Sequence, residues 1–265
     1  MKTEKKNILI TGAASGIGRA TAEYFMIRGH AVFGVDIVPC GLPHSFVADV
    51  TSEDGLGSVA DRLSSDGVKL DAVLCIAGVH DMVSLVESDF EDIKRVVDVN
   101  LLGTALTCRV FHPLLAERGR FVILTSEVAT YAPMPFNGIY NVSKTALECY
   151  AQALRQELGL LGQKVVTVRP GAVETPLASS SQTATARLAE KTRLYAEEAG
   201  KFSGLVAKFS GTPIKPTALA PLIYRATLAR RPRLAYAKHR NIGLVLLSLL
   251  PKRMQCFIIR KILGR

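Results

Sequence analysis

The stretch NILITGAASGIG, residues 7–18, decides the fold. Asn7–Thr11 reads as a short apolar strand that runs straight into a turn holding Gly12, Gly16 and Gly18. Beyond the turn, Ile17, Ala20, Tyr24 and Ile27 recur at the spacing of one helix face, which predicts a helix over Ile17–Arg28. Glycines in a strand-to-helix turn let the backbone approach a pyrophosphate. The helix N-terminus behind them supplies free N–H groups and the positive end of its dipole. Gly12, Ser15, Gly16, Ile17 and Gly18 are therefore candidate phosphate-binding residues.

Asp36 ends the second strand, Ala31–Asp36. A carboxylate there accepts hydrogen bonds from the hydroxyls of an adenine ribose and repels a 2′-phosphate. Ser15 and Ile37 offer no positive charge to offset that repulsion. The expected cofactor is NAD(H), preferred over NADP(H).

The strand–helix alternation continues outward. Strands are expected at Ser45–Ala48, Ala72–Ile76, Arg120–Thr125, Lys164–Arg169 and Arg233–Tyr236. Helices are expected at Glu53–Ser65, Asp89–Glu117, Tyr140–Leu160, Thr185–Ala199 and Pro216–Arg230. Strands that are apolar throughout have both faces covered. The expected architecture is α/β: a single doubly wound Rossmann-type parallel sheet with helices on both faces. No repeat or linker divides the chain, so residues 1–265 read as one dinucleotide-binding domain. Within it, 176–215 form a substrate lid and 238–265 a basic amphipathic C-terminal tail.

Composition narrows the function further. No run of 18 apolar residues exists, and the N-terminal apolar run before Gly12 is too short for a signal peptide. A cytoplasmic protein is expected. Five scattered cysteines without a CxxC pair give no support to a metal site or redox couple. The net charge of +10 is unevenly placed: residues 201–265 hold 14 Lys or Arg and no Asp or Glu. Without interleaved aromatics or a nucleic-acid-binding motif, no nucleic-acid partner is expected.

Residues 137–144, NGIYNVSK, place Tyr140 one helical turn before Lys144. That pair alone says little, but the spacing Thr-Gly-x-x-x-Gly-x-Gly at residues 11–18 resembles the short-chain dehydrogenase/reductase family. Further motifs follow in order over roughly residues 7–176. Asp49-Val50 is similar to the pair that contacts the adenine. Cys75-Ile-Ala77-Gly78 stands where the family has Asn-Asn-Ala-Gly. Asn100, Ser126, Tyr140 and Lys144 match the active-site residues. Pro170-Gly171-Ala-Val173-Glu-Thr175 matches the segment beside the nicotinamide. The resemblance implies hydride exchange between an alcohol and a ketone, with Tyr140 as acid/base and Ser126 on the substrate oxygen. It assigns Lys144 to the nicotinamide ribose and Asn100 to a proton-relaying water. It also implies a homodimer or homotetramer formed through residues about 100–117 and 140–160. A tyrosine of ordinary pKa near ~10 is a poor base at neutral pH. A lysine cation one turn away favours the phenolate and is expected to lower that pKa. This chain departs from the pattern at Cys75 and Ile76, and by a Ser126–Tyr140 spacing of 14 where 13 is common.

The loop after Ser126 is apolar, with Val128, Met134 and Phe136 the candidate substrate contacts, unless the loop packs under its own lid. Such a lining suits a hydrophobic substrate. The run MPFNGIYNVSKTALE is similar to that of 17β-hydroxysteroid dehydrogenases, which implies a hydroxysteroid or lipid-like alcohol. An acyl-thioester ketone reductase and a non-catalytic NAD(H) sensor are the alternatives. In the tail, Phe257, Ile258 and Leu263 lie among Lys252, Arg253, Arg260, Lys261 and Arg265. That pattern suits either an interfacial helix on an anionic membrane or packing on the domain itself.

Overall fold

The structure is a computed structural model that describes residues 4–175, 187–190, 192–209 and 212–264. Seven parallel strands form one sheet in the order β3-β2-β1-β4-β5-β6-β7. In chain order the strands are β1 (Asn7–Thr11), β2 (Ala31–Asp36), β3 (His44–Val47), β4 (Leu70–Cys75), β5 (Leu115–Leu124), β6 (Lys164–Pro170) and β7 (Ala235–Lys238). The helices are α1 (Gly16–Met26), α2 (Glu53–Ser65), α3 (Phe90–Val97), α4 (Gly103–Phe111), α5 (Gly138–Leu160), α6 (Ala196–Phe209), α7 (Pro216–Leu228), α8 (Ile242–Ser248) and α9 (Lys252–Leu263).

The pleat explains why the strands are apolar throughout. Ile8, Ile10, Leu74, Val122 and Val168 face one layer, where Phe25 of α1 and Leu219 and Ile223 of α7 cover them. Leu9, Phe33, Val73, Phe121 and Ile123 face the other, under Leu56 and Leu63 of α2, Phe111 of α4 and Leu147 of α5. Successive strand residues point to opposite faces, so both sets must be apolar when both faces carry helices. The strand order reverses between β1 and β4. Crossovers leave in opposite directions there and open a crevice at the carboxyl ends of the strands.

Several elements depart from the sequence expectation. Ile27 is 82% exposed, and the buried face of α1 is formed by Ala20, Thr21, Ala22 and Phe25. The long helix expected over Asp89–Glu117 is broken. A π-helical turn, Asp98–Leu102, joins α3 to α4, and a 3₁₀ turn at His112–Leu114 leads directly into β5. The π turn buries Asn100 completely, a local widening typical of functional positions. Pro113 lacks the N–H that a continuing helix needs. The polar helix expected at Thr185–Ala199 is also interrupted, and its residues 185–186 lie outside the described residues. Residues 187–190 are helical, and α6 starts only at Ala196. The break is held by Glu87, whose carboxylate accepts hydrogen bonds from Thr192 Oγ1 (2.5 Å) and from the amides of Arg193 (2.9 Å) and Leu194 (3.0 Å). Of the lid, residues 176–186 likewise lie outside the described residues.

Candidate active site

The glycine turn is built for backbone contact. Gly12 sits at φ +71°, and a β-carbon there would lie 2.8 Å from Ala77 Cα. A β-carbon on Gly18 would lie 1.9 Å from the Gly12 carbonyl oxygen, so α1 rests directly on the turn. Ser15 is the N-cap of α1 and makes no side-chain capping bond, and no acid occupies the first turn. The leading amides at Gly16, Ile17 and Gly18 thus meet no competing anion from the chain. Asp36 closes the far side, with Oδ2 accepting the Ala14 amide at 2.9 Å. The Asp36 carbonyl accepts the Ala48 amide (2.9 Å), which draws Asp49 and Val50 alongside. Val50 is buried under Gly103, while Asp49 is exposed and holds Thr51 through two 2.8 Å bonds. Glycines with no room for side chains, unshielded helix amides and a ribose-height carboxylate fit a dinucleotide.

Across the crevice, Tyr140 and Lys144 lie one turn apart on α5. The Lys144 ammonium is 5.8 Å from the Tyr140 ring centroid, and its Nζ donates to the Leu124 carbonyl at the end of β5 (3.1 Å). Ser126, two residues beyond Leu124, hydrogen-bonds Tyr140 and accepts the Val128 amide (3.4 Å). Asn100 spends its side-chain amide on the chain. Oδ1 accepts the Val79 amide (2.8 Å), and Nδ2 donates to the Val79 carbonyl (2.9 Å) and to Ser143 Oγ (3.1 Å). It clamps the Ala77-Gly78-Val79 loop to α5. A β-carbon on Gly78 would lie 3.0 Å from Asn100 Oδ1 and 3.5 Å from Lys144 Nζ. The four residues expected to do the chemistry therefore converge at the ends of β4 and β5.

The electrostatics differ from the sequence expectation. Burial pushes the Tyr140 phenol up to about 12, and the hydrogen bond with Ser126 acts in the opposite direction without overcoming it. Burial also pulls Lys144 down to about 8. In the chain by itself, desolvation outweighs the lysine's attraction for a phenolate. Tyr140 is thereby held as a proton donor at neutral pH, and Lys144 is mostly cationic below about pH 8.

This burial has a consequence for stability. An unfolded lysine titrates near 10.5, so between about 8 and 10.5 the unfolded chain holds more protons and stability rises with pH. Below about pH 8 the cost of burying the cation is fully present. The shift corresponds to roughly 3 kcal/mol. Lys144→Met is expected to raise the melting temperature of the cofactor-free protein at neutral pH by a few degrees while abolishing turnover. Scanning calorimetry across pH checks it, and the gain should shrink above pH 8.

The departures from the family pattern are absorbed locally. Cys75 lies in the core with Sγ 3.9 Å from Cys108 Sγ, and Ile76 packs into the opposite apolar layer. Thr11 Oγ1 accepts the Ile76 (3.1 Å) and Ala77 (3.3 Å) amides, tying β1 to the end of β4. The longer Ser126–Tyr140 loop turns at Phe136, which adopts φ 62°, and the Phe136 carbonyl accepts the Val83 amide (2.8 Å).

Phe136 is not an open pocket wall as expected. It is buried against Tyr195 (5.5 Å between centroids) and Phe202 of α6 (5.4 Å), in a cluster with Met82, Met134 and Leu263. The loop thus packs under its lid, on Tyr195 and Phe202. Val128 stays half-buried beside Ser126, and its carbonyl accepts Asn141 Nδ2 (2.8 Å). Pro170 and Gly171 end β6. A β-carbon on Gly171 would lie 1.8 Å from the His239 carbonyl and 3.0 Å from Glu127 Oε1. Val173 is buried and bridges to Ile214, and Thr175 is partly exposed.

Two residues were missed in the sequence. The His80 ring stands edge-on to Tyr140, 4.3 Å between centroids, with Nε2 2.9 Å from Asn137 Oδ1. Burial lowers its pKa, which keeps the ring neutral at neutral pH. Its signal was a lone histidine two residues after Gly78. Buried Glu127 accepts the Asn241 amide (2.6 Å) and the Tyr131 hydroxyl (3.3 Å), joining the Ser126 turn to the start of α8. It is the one acid in the apolar run that follows Ser126.

Comparison with known proteins agrees with this arrangement. Residues 12–199 match the family model described as Enoyl-(Acyl carrier protein) reductase. The chain belongs to the short-chain dehydrogenase/reductase family. The family comprises oxidoreductases of alcohol- and ketone-type substrates that use a nicotinamide cofactor. It is 31% identical over 173 residues to the 3-ketodihydrosphingosine reductase of Bacteroides thetaiotaomicron, covering 63% of this chain and 64% of that protein. It is 33% identical over 187 residues to the NADPH-dependent 1-acyldihydroxyacetone phosphate reductase of Schizosaccharomyces pombe, covering 66% and 62%. The chain thus spans less than two thirds of the length of both relatives. A Mycobacterium paratuberculosis short-chain dehydrogenase, solved bound to NAD, superposes with a TM-score of 0.74 at 25% identity, over 89% of this chain and 97% of that one. The shared short-chain dehydrogenase/reductase core carries the glycine turn, the Tyr140–Lys144 pair and Asn100.

Proposed function

We propose that this protein is an NAD(H)-dependent oxidoreductase that interconverts a secondary alcohol and a ketone on a hydrophobic, lipid-like substrate. The observation that carries the reading is the hydrogen bond between Ser126 and Tyr140, set over the buried Lys144 beside a dinucleotide cradle. The nicotinamide, when bound, supplies or accepts the hydride. In the reducing direction Tyr140 donates its proton to the carbonyl oxygen as negative charge develops there. Ser126 hydrogen-bonds the same oxygen. Lys144, cationic below about pH 8, then faces the phenolate and steadies its charge. Alcohol oxidation runs the same transfers backwards.

The cluster of Met82, Met134, Phe136 and Phe202 next to the site supports an apolar substrate. Two relatives whose names denote reductases of long-chain or acylated ketones point the same way. A hydroxysteroid fits this chemistry equally. The test is NADH formation on a panel of hydroxysteroids, sphingoid bases and long-chain secondary alcohols. Turnover confined to polar alcohols or sugars would sink the substrate reading.

The NAD preference rests on Asp36, whose neighbours Ile37 and Val38 are exposed and uncharged. Arg19, the cation that reaches the Cys40 carbonyl on that rim, is paired with Glu23 at 2.6 Å. Removing a like charge near a phosphate is worth roughly 1–3 pKa-scale units of interaction. Asp36→Ala should therefore shift the kcat/KM ratio of NAD to NADP by roughly 10–1000-fold toward NADP. An unchanged ratio would refute the role. For assembly, we propose pairing through α5 and through α4 with the π turn before it, where Val142 and Leu102 are exposed. Light scattering checks it.

A further inference from the structure

The helices after β7 leave an apolar face that nothing in the described chain covers. α9 is two-sided. Gln255, Ile259 and Leu263 turn inward: Leu263 and Ile259 pack with Phe202, Leu205 and Val206 of α6, and Lys201 Nζ donates to the Gly264 carbonyl (2.9 Å). Met254, Phe257 and Ile262 turn outward, with Phe257 57% exposed. Spacings of three, five and eight residues set these three within an arc of about 140° on a helix of 3.6 residues per turn, opposite Leu263. α8 adds Ile242, Leu246 and the following Leu249, the last 75% exposed. Single exposed apolar residues are ordinary, but six on two consecutive short helices form a patch.

The charge around this patch is of one sign. Lys252, Arg253, Arg260 and Lys261 are exposed on α9, and residues 201–265 contain no acid at all. Among the described residues, none of these four cations has a carboxylate within ion-pair distance. Among the described residues no helix is long and apolar enough to cross a membrane. An apolar face with unpaired cations on and around it, on helices too short to span, belongs in the interface plane of an anionic bilayer.

We propose that α8 and α9 dock the protein on the surface of an anionic lipid bilayer, with Met254, Phe257, Ile262, Ile242, Leu246 and Leu249 inserted below the headgroups. The inner sides of the same helices are fixed to the site. Glu127 holds the Asn241 amide that begins α8, and Arg240 Nε donates to Tyr131 Oη (2.9 Å). Leu263 of α9 reaches the lid cluster that contains Phe136. The bilayer side and the apolar lid cluster are therefore two faces of one element. Resting on the hydrophobic-substrate reading above, this lets substrate pass from lipid to lid without crossing water.

The test is co-sedimentation of the full chain with phosphatidylcholine vesicles, with and without phosphatidylserine, at low and at physiological salt. The protein should pellet with the anionic vesicles, less so as salt rises, and stay in solution with the neutral ones. Met254→Ser with Phe257→Ser should cut partitioning roughly tenfold or more. Lys252→Glu with Lys261→Glu should do the same, since each basic residue near an anionic surface contributes about fivefold. Melting temperature and NADH fluorescence confirm that each variant is folded and binds cofactor. No pelleting of the wild type, or pelleting that neither variant alters, overturns the proposal. So does a dimer that Met254→Ser with Phe257→Ser splits without any vesicle binding, which assigns the face to a second copy. Because the readout needs no substrate, vesicle binding with no turnover would fault the enzyme reading alone, and turnover without vesicle binding would fault the docking alone.

Discussion

Tyr140→Phe is expected to lower kcat by roughly 10³-fold while the affinity for NADH stays within a factor of two or three. The substitution removes one oxygen. The ring keeps its edge contact with His80 and its place over Lys144. What is lost is the hydroxyl that hydrogen-bonds Ser126. General acid catalysis by a positioned group contributes roughly 10²–10⁴. Stopped-flow hydride transfer with a deuterated cofactor measures the chemical step itself. A variant that keeps a tenth of the wild-type rate would remove Tyr140 from the mechanism. A variant that loses turnover and NADH binding together would place its effect on folding.

Gly18→Ala is expected to abolish measurable NADH binding, a loss of roughly 100-fold or more, with a clear fall in melting temperature. The added methyl would stand 1.9 Å from the Gly12 carbonyl oxygen and 2.6 Å from its carbon. Neither is the end of a flexible side chain. Both belong to the turn that must stay closed for the amides at Gly16, Ile17 and Gly18 to converge. The turn or α1 must move, and α1 is held by Phe25 in the core. Overpacking of this kind costs typically 1–3 kcal/mol before any ligand is considered. Intrinsic fluorescence of bound NADH and thermal unfolding separate the two effects. Tight binding retained in Gly18→Ala would show that the turn is not the phosphate cradle.

Much of this site was readable in the sequence because it depends on local chain geometry. A glycine turn between strand and helix acts through backbone sterics within a dozen residues, and the turn at Gly12–Gly18 stands where it was expected. Tyr140 and Lys144 share one face of α5 because residues four apart always do. The strands were legible because a doubly covered sheet needs apolar residues on both faces of each strand. The faulty expectations lie where distant segments decide. Ile27 fits the helical spacing but stands just past the end of α1 and is left 82% exposed. Pro113 was a local stop for the 89–117 helix, but the clamp of Asn100 on Val79, 21 positions away, accompanies a π turn that no local signal marked. The Thr185–Ala199 helix is split by Glu87, more than a hundred residues earlier.

By itself, then, the sequence determined the parallel α/β sheet, the phosphate turn, Asp36 at its rim and the spacing of Ser126, Asn100, Tyr140 and Lys144. All follow from hydrophobic period and local covalent reach. Only the tertiary structure decided the protonation of the site, since the pKa of Tyr140 and Lys144 is governed by how much water the surrounding chain excludes. It alone placed His80 against Tyr140, turned Phe136 into the lid and split α9 into an inner face on α6 and an outer face in the open. Those outcomes depend on which surfaces meet across the fold, and burial is a property of the assembled neighbours that no single segment carries.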